Sequence, residues 1–173
     1  MKSRRVLLTV LLLAFLPASL ASAGGWGGVS ASGQYFSGGF SGPALGISTI
    51  DGYGYGVNDE GDRVGGFGLG FSSPASGTGG VGGFLLGHEW WLGPLVAGFS
   101  LEGGVGGTSI GSAGYLLLFG QADVDVGLAV LPWMQIVLYV GWQAAGNLFP
   151  GTSFTSVNVS SPVLGVRLAW GAH

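Results

Sequence analysis

Few side chains of this sequence could do chemistry, and most of them are acids. Glu89, Glu102, Asp123 and Asp125 are set among apolar residues, with Arg167 as the base nearest the end of the chain. Two histidines and no cysteine are present. Adjacent residues of a strand point to opposite faces, so His88 and Glu89 cannot form one site, and a metal centre is not expected. No Gly-Lys-Ser or strand-to-helix Gly-x-Gly-x-x-Gly marks a phosphate loop, and glycines this frequent match looser patterns by chance. No catalytic residue, metal or cofactor is assigned, and an enzyme is not expected. What remains to explain is why acids are placed within apolar stretches.

The stretch "QADVDVGLAVLPWMQIVLYVGWQA", residues 121–144, gives the reason. Val124, Val126, Leu128 and Val130 are large and apolar. Gln121, Asp123, Asp125, Gly127 and Ala129, between them, are polar or small. Beyond Leu131-Pro132-Trp133 the even positions Ile136, Leu138, Val140 and Trp142 are apolar again, against Gln135, Val137, Tyr139, Gly141 and Gln143. A period of two on both sides of a tight turn predicts two antiparallel strands. A transmembrane helix over 126–145 is the rival, but Pro132, two glycines and many β-branched residues oppose it. Asp123 and Asp125 thus belong to a face that avoids lipid, and their neighbours to a face that seeks it.

The other segments read the same way. "PLVAGFSLEGGVG" sets Leu95, Ala97, Phe99 and Leu101 against Val96, Gly98, Ser100 and Glu102. "PVLGVRLAW" sets Leu164, Val166, Leu168 and Trp170 against Val163, Gly165, Arg167 and Ala169. "VGGFLLGHEWW" is a poorer fit, and "RVGGFGLGF" sets Phe67, Leu69 and Phe71 against glycines. In "LGISTIDGYGYGV" Asp51 falls on the wrong face unless Asp51-Gly52 makes a bulge. The pattern predicts eight strands, near 26–37, 45–57, 63–73, 79–91, 95–106, 113–130, 134–146 and 160–171. An even number suits an antiparallel transmembrane β-barrel built as an up-and-down meander.

The ends and the composition agree. Lys2, Arg4 and Arg5 precede an apolar run that Pro17 breaks, and Ala21-Ser22-Ala23 fits a signal-peptidase site. Residues 1–23 are therefore expected to be a cleaved signal peptide and 24–173 a single barrel domain. Without the leader two arginines face eight acids, a net charge of −6, and no lysine is left. That balance disfavours a nucleic-acid partner, which needs clustered bases. Only 8% of the chain is charged, against about 25% in a soluble domain. Either the protein is fibrous and glycine-rich, or its outer surface does not face water.

Signal peptide, dyad strands and loop parity, with the short connectors Asn58-Asp59-Glu60-Gly61-Asp62, Leu92-Gly93-Pro94 and Leu131-Pro132-Trp133 alternating with the mostly longer "SSPAS", "GTSIGSA" and "LFPGTSFTSVNVS", together resemble the small eight-stranded outer-membrane barrels of Gram-negative-type bacteria. The resemblance covers the chain after the leader and is one of pattern, without a specific family motif. It implies a bacterial outer-membrane location, membrane lipid and the outer-membrane assembly machinery as partners, and turns on the periplasmic side that are shorter than the outer loops. The chain departs from it by running past Trp170 to His173 instead of ending on an aromatic residue. Trp90, Trp91, Trp133, Trp142 and Trp170 are expected to form interfacial aromatic girdles. Eight strands enclose room only for side chains, so Glu89, Glu102, Asp123 and Asp125 are expected to plug the lumen with Arg167, the one inward base, helped by Gln121, Gln135 and Tyr139. The expected role is non-enzymatic, structural or in surface interaction with an unassigned ligand. A narrow cation-preferring channel and a secreted glycine-rich structural protein are the alternatives.

Overall fold

The computed structural model describes residues 24–36, 44–73, 77–110, 113–147 and 158–172; the expected signal peptide lies outside them. They form eight strands: β1 (Gly25–Phe36), β2 (Ala44–Val57), β3 (Asp62–Ser73), β4 (Gly77–Leu92), β5 (Leu95–Ile110), β6 (Ala113–Leu131), β7 (Met134–Asn147) and β8 (Asn158–Ala172). Each pairs antiparallel with its sequence neighbours, and β1 pairs with β8, from Gly25 opposite Ala172 to Gln34 opposite Val163. The sheet is a closed barrel with no unpaired edge strand. Among the described residues no helix is long and apolar enough to cross a membrane, which has no bearing on a crossing by strands.

Three short turns lie at one end. In the first, Asn58 Oδ1 accepts from the backbone N–H of Glu60 at 3.0 Å and of Asp62 at 2.8 Å. Gly61 closes that turn at φ 95°, where a side chain would be strained. Gly93 does the same at φ 66° between β4 and β5, and Pro132-Trp133 joins β6 to β7.

The expected alternation is clearest on β6 and β7. Val124 and Val126 are each 59% exposed, whereas Asp123 and Asp125 are 4% and 3% exposed. Leu138 and Val140 on β7 and Leu164 and Val166 on β8 extend the outward apolar face.

On β2 and β3 most apolar residues face the other way, Ile50 and Val64 being exposed outward. Tyr53, Val57, Phe67 and Leu69 are buried with Trp26, Val81, Phe119 and Ala169 in one lumenal cluster. The outward positions opposite them are glycine, as in the row Gly52–Gly68–Gly82 across β2, β3 and β4. Asp51 shares the inward face with Tyr53 and needs no bulge: it stands in register opposite Ser30 and Leu69, and the β1–β2 irregularity falls at Gln34 and Tyr35. Filling the lumen decides the facing here. Aromatic rings occupy one half of the interior, and glycine covers the exterior behind them at no steric cost.

This inversion is testable. A cysteine at Gly68 or Val126 should react with a detergent-phase maleimide, and one at Leu69 or Asp125 should not. Labelling of Leu69 in place of Gly68 would shift β3 by one residue and reverse its faces.

Candidate functional site

The polar half of the lumen is built in rows across paired strands. Glu89 on β4 stands opposite Gly98 on β5, Gly98 opposite Asp125 on β6, Asp125 opposite Tyr139 on β7, and Tyr139 opposite Gly165 on β8. A second row runs Ser100–Asp123–Gly141, and a third Glu102–Gln121–Gln143–Ser161. The glycines in these rows are gaps into which long side chains fold. A Cβ on Gly165 would lie 2.5 Å from the Tyr139 ring, and one on Gly98 would lie 2.8 Å from Arg63 Nη2.

Two guanidinium centres stand in this polar half, and Arg63 takes the gap at Gly98. Arg167 donates to both carboxylate oxygens of Asp123, at 3.2 Å and 3.0 Å, and to Glu102 Oε1 at 3.1 Å. Its guanidinium carbon lies 4.0 Å from the centre of the Tyr139 ring and 5.6 Å from that of Tyr53. Gln121 Nε2 donates to Asp123 Oδ2 at 3.0 Å, which fixes the carboxylate from its own strand.

The second centre is Arg63. Its Nε donates to Glu89 Oε2 at 2.8 Å, and its Nη1 and Nη2 grip Asp125 at 2.5 Å and 3.1 Å. Trp91 Nε1 donates to Glu89 Oε1 at 2.7 Å, and the Tyr55 ring lies 5.1 Å from the Arg63 guanidinium. Asp125 Oδ2 is also 3.9 Å from Arg167 Nη1, so this one carboxylate links the centres. Forked pairs of this kind are the strongest polar contacts a protein makes, and enclosure shields them from water.

The structure thus brings Glu89, Glu102, Asp123, Asp125, Arg167, Gln121 and Tyr139 into one network. It corrects three particulars. Arg167 is not the one inward base, because Arg63 at the start of β3 is buried beside it. Gln135 faces the lumen, but its side-chain amide makes no hydrogen bond with the described residues. Trp91 is no girdle residue; it points inward, bonds Glu89 and stacks on Trp26 at 6.0 Å. Trp90, Trp133 and Trp142 are exposed on the outer face, and Trp170 is half-buried.

Asp51, Ser30, Ser100, Tyr53 and Tyr55 also belong to the polar half and were not anticipated from sequence. Ser30 Oγ donates to Asp51 Oδ2 and lies 3.5 Å from the Tyr139 hydroxyl. The signal that could have found Arg63 is its parity with Phe67 and Leu69, once those are turned inward. Outside the barrel, His88 Nδ1 lies 2.8 Å from Asp62 Oδ1, beside Trp90 and separate from the network. Among the described residues no three acids, histidines or cysteines converge as a metal-chelating set.

No protein-family model matches the chain, and no characterised protein matches it in sequence. Among solved structures it is similar to the crystal structure of Neisserial surface protein A, with a TM-score of 0.59. That alignment covers 84% of this chain and 96% of the other at 15% identity. The likeness shows a shared fold, here a closed eight-stranded antiparallel barrel. At this identity the likeness concerns the path of the chain and not the lumenal residues.

Proposed function

We propose that the protein is an outer-membrane β-barrel with a non-enzymatic role, structural or in surface interaction, whose lumen is plugged by the two-arginine network. One observation carries the reading: large apolar side chains are exposed outward on five consecutive strands, from Phe84 on β4 to Leu168 on β8, while the charges of the same segments are buried inside. Such a surface suits hydrocarbon, and a closed sheet leaves no backbone group unpaired there. The secreted fibrous alternative has no comparable use for a closed sheet. Export through the leader of residues 1–23 fits this location, as does a structural neighbour described in its own name as a surface protein.

The narrow cation-preferring channel is favoured by one fact, the excess of five lumenal acids over two arginines. Against it stands the filling of the lumen by Trp26, Tyr53, Phe67 and Phe119 together with the paired charges. In planar bilayers the purified protein should give no unitary conductance. Regular cation-selective steps would replace the plug with the channel.

The barrel itself is checked by electrophoresis. Unheated protein should migrate anomalously in SDS and shift to its normal position after boiling, because a closed sheet has no edge from which to unravel. Fractionation of cells should place it with outer membranes. A single heat-insensitive band and recovery in the soluble fraction would defeat the proposal.

A further inference from the structure

The charges of the lumen do not balance. Asp51, Glu89, Glu102, Asp123 and Asp125 are all buried there, against Arg63 and Arg167 alone. The sequence holds no other lysine or arginine after Arg5, and His88 faces outward beside Asp62. No side chain of the barrel can therefore supply the missing positive charge, and uncompensated charge in a low-dielectric interior is costly.

Three negative charges are left over, one at the Arg63 centre and two around Arg167. Arg63 is shared by Glu89 and Asp125. Arg167 serves Glu102 and Asp123, and the next acid is left over. Arg167 on β8, Ser30 on β1 and Asp51 on β2 stand in one row, yet the close ion pairs of the guanidinium go to Glu102 on β5 and Asp123 on β6. Asp51 keeps the Ser30 hydroxyl on Oδ2, while its Oδ1 has no partner although the residue is only 8% exposed. It lies within electrostatic reach of Arg167, Asp123, Glu102 and Tyr139. Tyr53 follows it on β2, and Leu69 is its β3 neighbour.

We propose that the face formed by Asp51, Glu102 and Asp123 takes up a monovalent cation from solution, an alkali-metal ion or a proton, as part of the missing counter-charge of the plug. The inference rests on the plugged-lumen reading, and heat-modifiable migration judges the barrel separately.

The test uses the full chain folded in detergent, with urea unfolding followed at constant ionic strength. One arm replaces N-methylglucamine by sodium at a fixed pH. The other varies pH from 7.5 to 9 in N-methylglucamine, above the ordinary range of histidine. A bound ion should lower the unfolding constant about tenfold per tenfold rise in sodium above its dissociation constant. A retained proton should lower it by up to about tenfold per pH unit of acidification, because the folded state then binds more protons than the unfolded one. The responding arm names the cation. Asp51→Asn with Glu102→Gln should raise the midpoint at pH 9 in N-methylglucamine and flatten the response. Either substitution alone should weaken it, should the double variant not fold. A wild type that responds in neither arm, or variants that respond as fully as the wild type, would overturn the proposal.

Discussion

Arg167→Leu should lower the stability of the barrel by about 3–5 kcal/mol at neutral pH, the usual cost of removing one partner from a buried ion pair. The substitution takes away both contacts to Asp123 and the one to Glu102, and it strips Tyr139 of the cation stacked on it. Leucine fills part of the space but leaves two carboxylates facing each other without a counter-charge. In urea, where small proteins lose roughly 1–3 kcal/mol per molar, the midpoint should fall by more than about 1 M. Adding Asp123→Asn and Glu102→Gln should recover much of the loss, since the amides need no cation. Acidification should do the same in the single variant. Its folded state gains more from protonation than its unfolded state, so its stability falls as pH rises. A wild-type midpoint for Arg167→Leu at neutral pH would mean that the guanidinium does not hold the lumen together.

The strands were legible because membrane-type barrels write their two faces into alternate residues. From Leu95 to Trp170 most large apolar residues face out and the charged ones in, with Val96, Leu117, Phe119, Val137 and Val163 also inside, and reading every second letter places Asp123, Asp125, Glu102 and Arg167 on the inner face. The fold follows from that half of the chain, together with turns whose spacing fixes the strand count.

The other half obeys a different rule. On β2 and β3 the outward positions Gly52, Gly54, Gly66 and Gly68 carry no side chain, and the inward ones carry Tyr53, Tyr55, Phe67 and Leu69. The period of two is intact there, but its polarity is ambiguous, because glycine scores as neither apolar nor polar. Hydrophobicity alone turns the aromatic set outward and takes Arg63 with it. What settles the facing is volume: an eight-stranded barrel must fill its interior with side chains, and the polar residues of β5 to β8 fill only one side. Trp91 was misplaced for a related reason. A tryptophan near a strand end suits an interface, but parity with Glu89 puts it inside, where its N–H meets that carboxylate.

Arg63 is therefore the residue on which the two readings part most sharply. As an exposed side chain at the mouth of β3 it would be worth little, and its replacement would change stability by about 0.5 kcal/mol or less. As the partner of Glu89 and Asp125, held at 2.8 Å and 2.5 Å, it should cost about as much as Arg167. Arg63→Leu is expected to lower the urea midpoint by an amount close to that of Arg167→Leu. Asp62→Asn, one residue earlier and exposed at the turn, should leave it nearly unchanged. The two arginines should also be coupled, because Asp125 is held by Arg63 and stands 3.9 Å from Arg167. Either single variant leaves that carboxylate one guanidinium, whereas the double variant leaves none. The double loss should then exceed the sum of the single ones, by an interaction within the roughly 0.5–3 kcal/mol seen for residues that share a partner. Asp125→Asn should abolish the excess. Strict additivity would separate the plug into two independent ion pairs, and a harmless Arg63→Leu would return that side chain to solvent and reverse the faces of β3.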